Sequence, residues 1–243
     1  MRGRSPKPAE RRSTEFAHSE LRERILSGAL RAGDVVSQAA LAEELGVSRT
    51  PLREATRLLQ NEGLLVGEPN RRLRVADASA EDLEQVYAQR IALEALALRT
   101  GAPAMSAAEK GRISGLVVQM EERALAGDHE GTDRAHREFH RLLVASAGMR
   151  FEQSSASLWD HTERYRAALI NASEDPMEVM LTAHRQHQAI AIAAERGDGE
   201  AAAHALTLHY ERTARALLER MAPGAERPLL DAAVTAASPA RRP

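Results

Sequence analysis

Apolar positions recur at helical spacing along most of this chain, and the main departure is a pair of short runs at 64–67 and 73–76. The pattern is sharpest over residues 41–59, LAEELGVSRTPLREATRLL. Leu41, Ala42 and Leu45 give a first short helix an apolar stripe, and Gly46 ends it. Ser48 stands at the N-cap of a second helix, with Pro51 near its first turn, where a missing N–H is harmless. Leu52, Leu58 and Leu59 follow as its apolar positions. Ser48, Arg49, Thr50 and Arg53 gather at the start of this second helix. A helix, a glycine turn and a helix led by polar and basic residues is the layout of a helix-turn-helix, whose second helix meets base edges and phosphates. A helical hairpin with a capped polar surface gives the same pattern.

Upstream, residues 14–27 predict a helix with Phe16, Leu21, Ile25 and Leu26 inward and Gly28 closing it. Gly33 and Asp34 then turn the chain into Val35 and Val36. Downstream, Asn61, Glu62 and Gly63 stop the helical pattern, and the runs at 64–67 and 73–76 can pair as a hairpin around Pro69 and Asn70. Arg71, Arg72 and Arg74 cluster at the hairpin tip and second strand, placed to touch a DNA backbone or to form a solvated face. This makes a winged helix over 14–77.

From Ser79 onward the pattern is helical throughout. It predicts helices over 79–101, 106–126, 133–147, 150–171, 177–196 and 200–221, each followed by a Gly, Asp or Pro break. The expectation is therefore a mainly α protein: an N-terminal winged helix-turn-helix and a C-terminal all-α six-helix bundle over 79–222. Residues 1–13, basic with two prolines, and residues 223–243, rich in Ala, Pro and Arg, read as disordered tails.

Composition narrows the function. Lys+Arg 33 against Asp+Glu 35 leaves the chain near neutral, but residues 1–78 carry about +3 and the remainder about −5, so the basic end is the helix-turn-helix end. Without cysteine there is no disulfide framework, thiol nucleophile or Cys-rich zinc site. No run approaches the ~18 apolar residues that span a bilayer, and the N-terminus lacks the apolar core of a signal peptide. A soluble, cytoplasmic protein with no membrane partner is expected. Aromatic residues at 3% argue against base stacking on single strands.

Two sets of residues carry candidate chemistry. Leu83, Tyr87, Arg90, Glu94 and Ala97 share one helical face, so Arg90 and Glu94 interrupt an inward stripe, as an ion pair at its edge or as a cation facing an internal ligand. His136 and His140 lie four apart on one helix. His187 and His209 lie on consecutive helices, each 11 residues from the break near Asp198, so an antiparallel pair puts them at one height. Four imidazoles can thus converge on a divalent cation such as zinc or nickel. His184 and His204 match that height less well, and nine histidines can also scatter through such helices. The segment HREFH is neither zinc-protease motif, because Glu138 stands midway between the two histidines and turns to the far side of the helix. With no Gly-x-Ser-x-Gly elbow and no P-loop, catalysis has little support.

The line from Leu21 to Leu64 resembles the winged-helix domain of the GntR family of bacterial transcription regulators. The matching pieces are Leu21-x-x-x-Ile25-x-x-Gly28, Gly33-Asp34, Leu41-Ala42-Glu43, Val47 through Ala55 and Glu62-Gly63-Leu64. The resemblance implies that Ser48, Arg49, Thr50 and Arg53 contact double-stranded operator DNA. Residues 80–220 are similar to the FCD-type ligand-binding domain of the FadR subfamily. The carriers are Arg90-x-x-x-Glu94, Phe139-His140-Arg141-x-Leu143, Ala145-x-Ala147-Gly148, His187-x-x-Ile190, Gly197-Asp198 and His209, with the six helices fitting the VanR-like branch. This implies a homodimer, a metal held by His140, His187 and His209, and a small carboxylate effector beside it, with Arg90 helping to hold the acid. The family's aspartate place is His136 here, a neutral ligand that favours zinc or nickel. The reading is a ligand-responsive regulator, a repressor by the commoner habit of relatives, binding a palindromic operator. The alternatives are a metal-dependent enzyme with a winged-helix docking module and an architectural DNA binder with an inert bundle.

Overall fold

The computed structural model describes residues 13–26, 28–68, 72–77, 79–171 and 176–238. The chain divides into two compact units, 1–78 and 79–243.

In the first unit, α1 (Thr14–Leu26) starts where the Ser13 hydroxyl accepts the Phe16 N–H at 3.0 Å. It buries Ala17, Leu21 and Ile25, one per helical turn. A three-residue strand β1 (Val35–Ser37) leads into α2 (Gln38–Leu45). Ser37 caps α2 by accepting from the Ala40 N–H, and Gly46 ends it in the left-handed region at φ 65°, returning its N–H to Ala42 and Glu43. The second motif helix is α3 (Arg49–Asn61), followed by β2 (Leu65–Glu68) and β3 (Arg72–Val75). The sheet order is β1-β3-β2, all antiparallel, with Val66 opposite Arg74 and Val36 opposite Leu73. The hairpin matches the sequence expectation, but Val35–Ser37, read only as the segment after the Gly33-Asp34 turn, was assigned no strand. Three residues hold too little alternation to reveal a strand, and only pairing with β3 makes it one. Leu21, Leu41, Leu52, Leu59, Leu64 and Leu73 close the core under the motif, each contributing about 1.5–3 kcal/mol by burial. Leu58, expected on the apolar side of α3, is exposed. Pro69, Asn70 and Arg71, residues 1–12 and residues 239–243 lie outside the described residues.

In the second unit, α4 (Ala80–Gly101) passes through a short 3-10 turn (Ala102–Ala104) to α5 (Ala107–Leu125), α6 (His129–Ala145), α7 (Met149–Asn171), α8 (Pro176–Glu195) and α9 (Gly199–Met221). These are the six expected helices. Polar caps start four of them: Ser79 for α4, Ser106 with Glu109 as a full capping box for α5, Asp128 for α6 and Asp198 for α9. In the first turn of α4, Asp82 accepts a 2.8 Å hydrogen bond from the Tyr165 hydroxyl. At the α8–α9 corner a Cβ on Gly199 would fall 2.3 Å from the Arg99 carbonyl oxygen, so only glycine lets α9 start against α4.

The C-terminal stretch requires a correction. The region from 223 to 243 was read as disordered and the bundle as six helices. A seventh, α10 (Pro228–Ala237), packs on α4 with Leu230 and Ala237 buried. Glu84 of α4 accepts the Leu229 and Leu230 N–H groups at the start of α10, and Arg99 donates to the Ala237 carbonyl at its end. Thus α4 caps both termini of α10, complementing its dipole. The alanine- and proline-rich composition masked this, because the stabilising partners lie on α4, far away in sequence. No described helix is long and apolar enough to cross a membrane.

Candidate metal and DNA sites

The functional core of the helical unit begins on α6. Its HREFH segment places His136 and His140 one turn apart on the inner face, with buried Phe139 beside them. Glu138 turns outward to Arg112 at 2.9 Å and Arg141 at 2.7 Å, away from the imidazoles. The short α8–α9 corner runs these helices antiparallel, and the Nε2 atoms of His187 and His209 meet at 3.3 Å. His136 and His140 approach through Nε2 at 3.2 Å. One ring nitrogen from each of the four lies within 4.8 Å of all the others, and all four residues are buried. Trp159 of α7 closes one side, its ring centroid 4.8 Å from His136 and 5.0 Å from His140.

Hydrogen bonding fixes two of the tautomers. The Tyr210 hydroxyl donates to Glu94 Oε2 at 2.6 Å. Having one proton, it must accept from His140 Nδ1–H at 2.8 Å. The Gln186 side-chain oxygen likewise accepts from His209 Nδ1–H at 2.7 Å. Both rings therefore present a bare Nε2 to the cluster. Burial holds all four imidazoles well below their ordinary proton affinity, His209 down to about 3, with neighbouring charges adding to the effect. They are neutral at physiological pH, which is the state that ligates metal.

These residues fit a cation. Tetrahedral Zn–N bonds of about 2.0–2.1 Å put ligand nitrogens about 3.3 Å apart, and the His136–His140 and His187–His209 contacts match that edge. His136 Nδ1 is buried without a hydrogen-bond partner. Without a cation, His136 and His187 would have to donate Nε2–H to the bare nitrogens of His140 and His209. With one, all four lone pairs are used.

Arg90 lies beneath the cluster, 3% exposed. Its guanidinium donates to Glu94 at 2.9 Å, Thr162 at 2.9 Å and Tyr210 at 2.5 Å, and stacks 4.2 Å from the Tyr210 ring. Glu94 and Tyr210, first among its favourable partners, raise its proton affinity against the opposing effect of burial. It is not the weak ion pair of a stripe edge, because both partners are enclosed. His184, weighed as an alternative ligand, is buried outside the set of four, and its Nε2 is 3.4 Å from Glu121. His204 is exposed. Tyr210, Trp159, Thr162 and Gln186 were not singled out as site residues from sequence. The only local signal was that Tyr210 follows His209 directly.

Comparison with known proteins assigns both units. The family model described as "FCD domain" matches residues 85–212, and that of "Bacterial regulatory proteins, gntR family" matches residues 13–75. The chain is 33% identical over 190 residues to the "Probable D-xylose utilization operon transcriptional repressor" of Paenarthrobacter nicotinovorans, covering 76% of this chain and 80% of that one. The chain belongs to the GntR family. Within the family it has the FadR/VanR-like architecture, a winged helix followed by an FCD domain. It is also 33% identical over 132 residues to the HTH-type transcriptional regulator YdhC of Bacillus subtilis (strain 168), over 52% of this chain and 57% of that protein. E. coli McbR/YncC shares the fold, with a TM-score of 0.73 at 22% identity over 86% of this chain and 98% of that one.

This GntR-family protein is thus a DNA-binding transcription regulator, and its FCD domain is of the effector-binding kind. In its winged helix, Ser48, Arg49, Thr50 and Arg53 all stand exposed at the start of α3. Ser48 has N-cap backbone angles, but its side chain makes no capping bond, so the hydroxyl is available. Arg72 opens β3 and is exposed, while Arg74 pairs with Asp77 at 2.5 Å. The far end of α3 is tied to α1, where His18 Nε2 meets Glu62 at 2.5 Å, so the helix is held from behind while its polar start faces outward.

Proposed function

We propose that this regulator is a cytoplasmic repressor that binds a palindromic operator as a homodimer and is released by a small carboxylic acid held beside a divalent ion. Two-fold symmetry in the protein requires a two-fold operator. Arg49 and Arg53 read bases or phosphates, with Ser48 and Thr50 as phosphate contacts at the helix start and Arg71 and Arg72 on the wing.

The observation that carries the sensing half is the convergence of four neutral, buried imidazoles from three helices. His136, His140, His187 and His209 hold the ion, zinc or nickel by their nitrogen chemistry. When bound, it would supply a +2 charge, and an anion would reach it only by raising its coordination above the four imidazoles. Arg90 keeps Glu94 and Tyr210 ordered under His140. The acid acts only if it binds one arrangement of the DNA-binding heads more tightly than the other.

The test is operator binding by fluorescence anisotropy, with zinc or nickel and a panel of small carboxylic acids. The expected result is that metal with one acid class lowers operator affinity by fivefold or more. Operator affinity indifferent to every metal and acid would leave an architectural DNA binder, and turnover of an acid would favour an enzyme.

A further inference from the structure

A second arginine lies at the rim of the imidazole cluster. Arg166 follows Thr162 by four residues and Trp159 by seven, so it shares the face of α7 that contacts Arg90 and the imidazoles. Its guanidinium bonds Asp133 at 2.5 Å and Glu163 at 2.6 Å. Asp133 stands one turn before His136 on α6, so this bridge crosses from α7 to α6 within a turn of the first imidazole.

Charge balance sets what the site lacks. A divalent ion on four neutral imidazoles keeps its full +2 charge. Glu94 cannot neutralise it, because both its oxygens are taken by Arg90 and Tyr210. Arg90 cannot turn to an incoming anion without breaking three enclosed hydrogen bonds. Arg166 differs: it is 20% exposed, and although Glu163, 12% exposed, holds its Nε on the same helix, its partner across on α6 is an Asp133 that is 55% exposed. Water can take over the Asp133 carboxylate once Arg166 leaves it, so the exchange costs little.

We propose that Arg166 is the residue that receives the effector's carboxylate, and that Asp133 is the internal anion it displaces. This deepens the metal-and-acid reading and rests on it. Asp133 acts as a built-in competitor: it holds Arg166 until an acid replaces it.

The test uses the full-length, zinc-loaded protein titrated calorimetrically with acetate, malonate, succinate and citrate. R166Q is expected to weaken binding of the responding acid tenfold or more. D133N is expected to tighten it threefold or more, and both variants should retain the wild-type zinc stoichiometry. A bridge that only supports the fold would lower thermal stability in both variants and leave acid affinity unchanged, which overturns the assignment. If R166Q does not fold, D133N decides alone: tighter binding supports the assignment, and unchanged or weaker binding removes it. A wild type that binds zinc but none of these acids overturns the acid reading and this assignment together. A wild type that responds while both variants match it removes the role of Arg166 only.

Discussion

Tyr210 accepts the Nδ1 proton of His140 at 2.8 Å while donating its own proton to Glu94, and this turns the Nε2 lone pair of His140 toward three other imidazoles. Y210F removes that acceptor, together with the hydroxyl's bonds to Glu94 and Arg90. Outer partners of metal-bound histidines affect affinity by about 10–100-fold, so zinc affinity measured against a competing chelator should fall by that order. Wild-type affinity in Y210F would mean the tautomer is set some other way.

Among the ligands, His187 and His209 come from separate helices and meet at 3.3 Å. H187A should reduce zinc content, measured by elemental analysis, from one ion per chain to a small fraction, while helical circular dichroism persists. Full zinc content would place the ion elsewhere.

Acid should unfold the metal-free protein early. The four buried imidazoles have folded-state proton affinities below the ordinary value of 6.5, His209 at about 3. Below pH 6.5 the unfolded chain takes up protons that the folded chain refuses, so stability falls as pH falls from about 6.5 toward 3. Each such histidine contributes a slope of up to about 1.4 kcal/mol per pH unit. Chelator-treated protein should melt at progressively lower temperature from pH 7.5 to 5.0, and H209Q should flatten that slope. A melting temperature independent of pH over this range would contradict neutral, buried imidazoles.

At the DNA face, Arg49 and Arg53 are exposed, so replacing them leaves the core intact. R49A and R53A should each weaken operator binding by about 1–3 kcal/mol with an unchanged melting temperature. Anisotropy across a salt series distinguishes the contacts: a lost phosphate contact reduces the salt slope by about 1, and a lost base contact relaxes sequence preference. An unaltered affinity would remove α3 as the reading helix.

The terminal helix should carry real stability. Leu230 is fully buried between α10 and α4, and L230A should cost about 2–5 kcal/mol in urea unfolding. A cost below about 0.5 kcal/mol would mean that α10 is not docked on α4.

The sequence by itself determined the elements whose signals are local. The turn at Gly46, the polar start of α3 and the hairpin can be read because caps, glycine conformations and alternation act between residues a few positions apart. The pairing of His187 with His209 was also legible, since two helices joined by a short corner share one fixed rise per residue. The tertiary structure decided everything that depends on distant partners. From sequence, Arg90 and Glu94 are either an ion pair at the edge of an apolar stripe or a cation facing a ligand, and only Thr162 and Tyr210, 72 and 120 residues beyond Arg90, show them enclosed. The tail after 223 looks structureless until Glu84 and Arg99 cap both its ends. β1 exists only because β3 pairs with it. In each case the stabilising group is brought close by the fold, and no pattern within one segment can record a free energy that comes from another.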